Sequence, residues 1–264
     1  MDTKPKKSLG QNFLINQGIL DKIVSAGELT PNDTVLEIGP GTGNLTKLLS
    51  EKILQSNSIQ TGRVIAVEKD HRLIAELQEK FKNTNVEIIE GDIWKLKFEN
   101  LKLTVGEYKI VANIPYYITS HLLKTIFESD DWRATKPKLI VLTVQKEVAQ
   151  RIVAKPPDMN LLALSVQLYA EPKIISYISR GSFRPMPNVD SAIIKLIPHP
   201  NTEAEKILSI AKIAFAGKRK QLRNTLKQIL PDIEEILNQT DIGPNARPEE
   251  LSVEDWIKVC SFLS

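Results

Sequence analysis

Between residues 34 and 198, short unbroken apolar runs alternate with segments whose apolar residues recur at helical spacing. This pattern constrains the chain most. A strand buried on both faces has no polar side to present, and strands that alternate with helices are joined by crossovers. Together these predict a mostly parallel sheet covered by helices on both faces. Strands are expected at 34–38, 63–68, 86–90, 109–114 and 139–144, with a closing pair at 173–178 and 192–197. Helices are expected at 16–26, capped by Asn16, then at 44–54, at 73–81, from about 145 to 154 and at 161–170.

Pro198-His199-Pro200 interrupts the pattern, and beyond it only helices are expected, at 204–215, 220–230, 233–238 and 253–262. The predicted organisation is a first domain over 1–199 and a small all-helical domain over 200–264. The polar stretch 55–62 reads as a surface loop.

Composition narrows the function. Apolar residues make up 42% and charged residues 25% of the 264 positions, which excludes wholesale disorder and fibrous repeats. The single cysteine, Cys260, excludes an internal disulfide and a paired-cysteine zinc site, and His71, His121 and His199 have no ligand spacing, so no metal is expected. No signal-like or membrane-length apolar segment occurs, so a cytoplasmic protein without a membrane partner is expected. Nothing points to more than a monomer. The net charge of +3 is too small to identify a partner. Its distribution says more. Lys206, Lys212, Lys218, Arg219, Lys220, Arg223 and Lys227 occur with no acid among them, and Lys4, Lys6 and Lys7 cluster near the start. Such stripes suit a phosphate backbone, although a charge run can also be simply a solvated face.

Four strand ends carry chemistry. The first strand runs into Gly39-Pro40-Gly41-Thr42-Gly43 and then a helix, an arrangement in which backbone can approach an anion or a ligand closely. It is not the dinucleotide fingerprint, because Asn44 stands where that motif needs glycine. The second strand ends in Glu68, placed to accept both hydroxyls of a ribose. The third leads to Asp92, placed to accept from an adenine amino group. In open α/β sheets ligands sit beyond the carboxyl ends of strands. The fourth strand leads into Asn113-Ile114-Pro115-Tyr116. An exocyclic adenine amine is a poor nucleophile because its lone pair is delocalised. Acceptors at the Asn113 oxygen and the Ile114 carbonyl would favour a tetrahedral nitrogen, Pro115 would stiffen the turn, and Tyr116 would offer a face for a flipped base.

With these residues, the chain resembles the KsgA-type rRNA adenine N6,N6-dimethyltransferases, to which the Erm-type enzymes and mitochondrial transcription-factor-B proteins are related. The resemblance spans Lys7-Ser8-Leu9-Gly10-Gln11-Asn12-Phe13-Leu14, the glycine loop, Glu68, Asp92, the Asn113–Tyr116 tetrad, Gln145-Lys146-Glu147-Val148-Ala149, Ser182-Phe183-Arg184-Pro185-Met186-Pro187-Asn188-Val189-Asp190-Ser191-Ala192 and the helical stretch 215–226. It implies a Rossmann-like, S-adenosylmethionine-dependent methyltransferase domain with a helical RNA-binding domain. The implied reaction is dimethylation of two adjacent adenosines near the 3′ end of small-subunit rRNA, in subunit biogenesis. By position it implies cofactor contacts from Asn12, Leu14, Gly39, Gly41, Glu68, Asp92, Ile93 and Asn113, with the N-terminal segment closing over the cofactor. Phe183 would be a second stacking face opposite Tyr116, and Lys218, Arg219, Lys220 and Arg223 would contact RNA. Where relatives carry a Tyr-Gly pair, this chain has Pro156-Pro157-Asp158-Met159-Asn160-Leu161-Leu162. The competing readings are large-subunit adenine methylation, against which the 183–192 segment argues, DNA adenine methylation, and an assembly factor whose catalysis is dispensable.

Overall fold

A computed structural model describes residues 5–6, 9–55, 61–96, 98–129, 132, 135–217 and 220–262. Lys4, Lys7, Ser8, Lys218, Arg219 and residues 56–60 of the expected surface loop lie outside the described residues. The chain forms two compact units, residues 1–149 with 173–198, and residues 150–172 with 199–264. The expected boundary after residue 199 is therefore only half of the division. Residues 150–172, assigned from sequence to the first domain, belong to the second unit.

The first unit opens with a two-residue strand β1 (Phe13–Leu14) and helix α1 (Gln17–Ala26), then runs β2 (Thr34–Ile38), α2 (Asn44–Ile53), β3 (Arg63–Glu68), α3 (His71–Lys80), β4 (Val86–Glu90), β5 (Tyr108–Asn113), α4 (Thr119–Glu128) and β6 (Leu139–Gln145). Helix α5 (Lys146–Ile152) leads towards the second unit; α6 (Leu161–Gln167) lies in it, and the chain returns along β7 (Ala170–Ile178) to β8 (Phe183–Arg184) and β9 (Ser191–Pro198). Seven strands form one sheet in the order β4-β3-β2-β5-β6-β9-β7. Strands β2 to β6 pair in parallel, and β9 runs antiparallel to β6. After β2 the chain builds outward through β3 and β4, then crosses back to add β5 on the other side. The carboxyl end of β2 is thus a point where strand order reverses, the usual place for a ligand in such sheets.

Burial explains the sequence pattern. Val35, Leu36, Val64, Ile65, Ala66, Ile110, Val111, Ala112 and residues 140–142 are fully buried, so these strands have no polar face. Asn16 accepts from the Ile19 amide at 3.2 Å and caps α1, which buries Leu20, Ile23 and Val24. Sequence periodicity placed no helix between residues 114 and 139. In the structure α4 occupies 119–128 and buries Leu122, Leu123, Ile126 and Phe127 at helical spacing. The helix expected at 161–170 stops at Gln167, because Ala170 already belongs to strand β7.

The second unit continues with α7 (Ala204–Ala216), α8 (Leu222–Leu226), α9 (Ile233–Gln239) and α10 (Val253–Ser261). Its core gathers Ile207, Leu208, Ala211, Leu222, Leu226, Leu237 and Trp256, with the Phe215 and Trp256 rings 6.0 Å apart. The segment that departs from the family pattern contains Asn160, which accepts from the Ala163 amide at 3.0 Å and donates to the Arg151 carbonyl at 2.9 Å. It therefore caps α6 and ties the loop down.

At the amino ends of the strands, Asp33 is 1% exposed and takes Lys109 at 2.9 Å and Lys138 at 2.6 Å, with the Thr30 amide at 2.7 Å. Burial alone would favour the neutral acid, but the hydrogen bonds from Lys138, Lys109 and Thr30 outweigh it and hold the carboxyl below its usual range. Because the folded pKa lies below the unfolded value of about 3.9, this stabilisation is complete above that value. It fades as pH falls through the folded pKa. Asp33→Asn is expected to cost about 2–4 kcal/mol at pH 7, because it strands the buried Lys109 while Lys138 is already screened by solvent. Urea unfolding at pH 7 and pH 3 checks this: the deficit should shrink at the lower pH, and an equal deficit at both would contradict it.

Candidate active site

The glycine loop is shaped by what crowds it. Gly39, Gly41 and Gly43 all take positive φ, at 72°, 59° and 75°. At Gly41 a Cβ would sit 2.9 Å from two ring carbons of Phe13, and at Gly43 it would sit 2.8 Å from the Phe81 ring. Both positions therefore need glycine for space as well as for conformation. The Gly39 amide donates to the Val67 carbonyl at 2.9 Å, which holds the loop against the end of β3.

Glu68 organises the next layer. One carboxylate oxygen accepts from the Gly41 amide at 3.0 Å and the other from the Asp70 amide at 2.8 Å. Its pKa is raised, because burial and then the nearby Asp70 carboxylate outweigh these amides. Asp70 caps α3, binds Arg72 at 2.6 Å and accepts from the Gln11 carboxamide at 3.0 Å. The Arg72 bonds hold its carboxyl far below the usual range against the effect of burial. Asp92 faces Lys69 at 2.8 Å and accepts from the Trp94 amide at 3.2 Å. Burial opposes its ionisation, but the bonds from Lys69 and the Trp94 amide, together with the Lys69 and Lys95 charges, outweigh burial and lower the pKa. Glu37, at the end of β2, is fully buried with one oxygen lacking a hydrogen-bond partner. Burial, with the neighbouring Glu68 carboxylate, pushes its pKa up to about 8.

Residues 9–14 form a strap along this site. Leu14 pairs with Phe183 and Phe13 with Arg184. The Leu14 carbonyl accepts from the Asn44 side chain at 3.1 Å, and the Asn12 carbonyl accepts from the Asn113 side chain at 3.3 Å. The Asn113 oxygen accepts from the Thr143 hydroxyl. Beyond Pro115 the chain makes a turn of 3-10 helix, Tyr116–Ile118, and the Tyr116 hydroxyl bonds Ser191. Tyr117 is 63% exposed, with its ring against Gly10.

Asn12, Leu14, Gly39, Gly41, Glu68, Asp92, Asn113, Pro115, Tyr116 and Phe183 all line one cleft of about 1130 Å³, its open mouth included. Phe183 differs from its expected role. Pairing of β1 with β8 covers its ring, which is fully buried in the core with Leu14, Leu20, Val111 and Ile193, so it is a wall of the cleft rather than an open stacking face. Lys220 and Arg223 do not line the cleft and lie in the second unit; Lys220 is exposed and Arg223 is partly buried, its guanidinium bonded to Gln221. Asn44, Thr143, Tyr117 and Trp94 had no expected role. Thr143 stands out in the sequence as the polar residue in the apolar run 139–144, whereas nothing in the polar Gly41-Thr42-Gly43-Asn44-Leu45-Thr46 stretch singles out Asn44. Among the described residues there is no cluster of three metal-ligating side chains and no helix long and apolar enough to cross a membrane.

The family model for ribosomal RNA adenine dimethylase matches residues 2–264. The chain belongs to this family. It is 44% identical to ribosomal RNA small subunit methyltransferase A of Dehalococcoides mccartyi strain CBDB1, over 97% of this chain and 88% of that one. It is 39% identical to the protein of the same name from Rippkaea orientalis, over 98% of both. Among solved structures it resembles a dimethyladenosine transferase from Plasmodium falciparum, with TM-score 0.76, 29% identity, and 94% and 95% of the two chains covered. It also resembles the 23S rRNA methyltransferase ErmE, with TM-score 0.76, 25% identity, and 95% and 98% covered. The chain is thus an S-adenosylmethionine-dependent methyltransferase of ribosomal RNA adenine, on a Rossmann-like sheet.

In this dimethylase the raised Glu37 pKa makes a pH-dependent prediction. Its folded pKa of about 8 exceeds the unfolded value, so folding is penalised increasingly as pH rises from about 4.3 to about 8. Glu37→Gln removes the penalty. The variant is expected to melt higher than wild type at pH 8.5, with the gap closing towards pH 4. A gap that stays constant across this range would show that Glu37 is not buried in protonated form.

Proposed function

We propose that the chain dimethylates N6 of two adjacent adenosines near the 3′ end of small-subunit rRNA, as a monomer in the cytoplasm without a metal. The observation that carries this reading is the convergence of Asn113, Glu68 and Asp92 on one cleft at the sheet's switch point, with a carboxamide oxygen at its wall. The small-subunit target is supported by the names of relatives at 37–44% identity.

The cleft suits S-adenosylmethionine in its chemistry. It contains a buried Glu37 oxygen with no partner, complementary to a cationic ligand, and a glycine loop that a side chain would fill. When bound, S-adenosylmethionine supplies a methyl group activated by a sulfonium. Gly39 and Gly41 give it backbone at close range. Glu68 takes the ribose hydroxyls on its remaining lone pairs, and Asp92 with Ile93 takes the adenine. Asn12 and Leu14 cover it from the strap.

The target amine donates to the Asn113 oxygen and the Ile114 carbonyl. Both acceptors draw its N–H bonds out of the base plane and free the nitrogen lone pair. Their effect comes from positioning and fixed dipoles, so no strong general base is needed. Pro115 holds the turn and Tyr116 stacks the base. Lys220 and Arg223, with Lys218 and Arg219, contribute sequence-independent phosphate contacts.

A labelled-methyl transfer assay on immature small subunits tests this proposal. Incorporation into adjacent adenosines of the small-subunit RNA is expected, whereas label appearing only in large-subunit RNA or in DNA would overturn it. Asn113→Ala should lose transfer and keep RNA binding; loss of both would make Asn113 structural. Glu68→Ala should weaken S-adenosylmethionine binding at least about tenfold. It should also destabilise by about 1–3 kcal/mol, because two buried amides lose their acceptor. Calorimetric affinity equal to wild type would remove the ribose contact.

A further inference from the structure

We infer that Thr143 is a positioning residue for methyl transfer, acting through Asn113. The inference rests on the proposed role of Asn113 as acceptor for the target amine. Thr143 lies on β6, directly beside Asn113 in the parallel register of β5 and β6, so the two side chains leave the sheet on the same face. It is fully buried in a strand whose preceding residues, 139–142, are all aliphatic. Its hydroxyl donates to the Asn113 side-chain oxygen.

A carboxamide has nearly the same shape when flipped, but flipping exchanges an acceptor for a donor. Two contacts hold the Asn113 amide, one selecting which way round it sits and the other fixing its plane. The Asn12 carbonyl can only accept, so it requires the NH₂ group on its side. The Thr143 hydroxyl then donates to the opposite oxygen and fixes the amide torsion, leaving the second lone pair of that oxygen for the substrate amine. Without the hydroxyl, the Asn12 contact still selects the orientation but the plane of the amide is free to swing. A misplaced acceptor lowers the rate of the chemical step more than it lowers binding.

The test measures kcat of methyl transfer, KM for the RNA and melting temperature for wild type, Thr143→Val, Thr143→Ser and Asn113→Ala. Thr143→Val keeps shape and branching and removes only the hydroxyl. It is expected to lower kcat about tenfold with KM within about twofold, and Thr143→Ser should restore most of the rate. If valine does not fold, Thr143→Ala replaces it with the same expectation. The ¹⁵N side-chain resonances of Asn113 provide a second readout: they should broaden or shift in the valine variant and return in the serine one. Wild-type kcat in Thr143→Val, with transfer lost in Asn113→Ala, overturns the role of Thr143 alone. Transfer undiminished in Asn113→Ala overturns the reading of the site. A serine variant as slow as the valine one would show that packing, rather than the hydroxyl, sets the rate, and that too overturns the inference.

Discussion

The structure of the cleft depends on one buried carboxylate. Glu68 accepts from the Gly41 amide with one oxygen and from the Asp70 amide with the other. A glycine loop with three positive-φ residues has little of its own to hold it, and two of its anchors are the Val67 carbonyl and the Glu68 side chain, both at the end of β3. Strand pairing of β2 with β3 therefore sets the loop as well as the sheet. The amide bonds use one lone pair on each oxygen and leave the others for a ligand. A single acid can thus be both scaffold and contact, which is why removing it is expected to show in stability as well as in affinity.

The same acid reaches the strap through its neighbour. Asp70 donates its amide to Glu68 and accepts the Gln11 side chain, so the cover of the cleft and the floor of the loop share one residue. The strap is held elsewhere by Asn44 and Asn113 and by the pairing of β1 with β8. These ties come from α2, β5 and the segment before β9, elements far apart in the chain. The strap is consequently placed by the finished sheet rather than by local preference, and two residues of strand are enough for β1.

This division marks how far the sequence could be read. Strands β2, β3, β5 and β6 were legible because burial on both faces erases polar residues, leaving runs such as Val64-Ile65-Ala66-Val67. Helix α4 carries Leu122, Leu123, Ile126 and Phe127 at helical spacing, so its periodicity is as good as that of the helices the sequence does reveal. The overrun of α6 has a physical cause. Leu168, Tyr169 and Ala170 continue an apolar pattern, but they are buried around the start of β7, and neighbouring structure overrides helical spacing. The assignment of 150–172 to the second unit was not legible, since nothing in that segment announces which core it joins. At the site, residue types at strand ends identified the cleft. Partners did not follow: the burial of Phe183, the Lys69 bond to Asp92 and the Thr143 bond to Asn113 each depend on residues brought together from distant parts of the chain.

The acids of the cleft also differ in a way their positions alone do not predict. Asp70 and Asp92 have cationic partners and stay ionised, while burial pushes Glu37 and Glu68 towards the neutral form. A buried acid without a counter-charge is costly as an anion. In the proposed reading, a cationic ligand supplies that charge to Glu37, so part of its binding energy comes from restoring ionisation to a group that burial holds back. A neutral ligand of the same shape gains nothing from this source. The preference for a charged donor is then a property of burial in the sheet's own core, in place before any ligand arrives, and it needs no dedicated ion pair to enforce it.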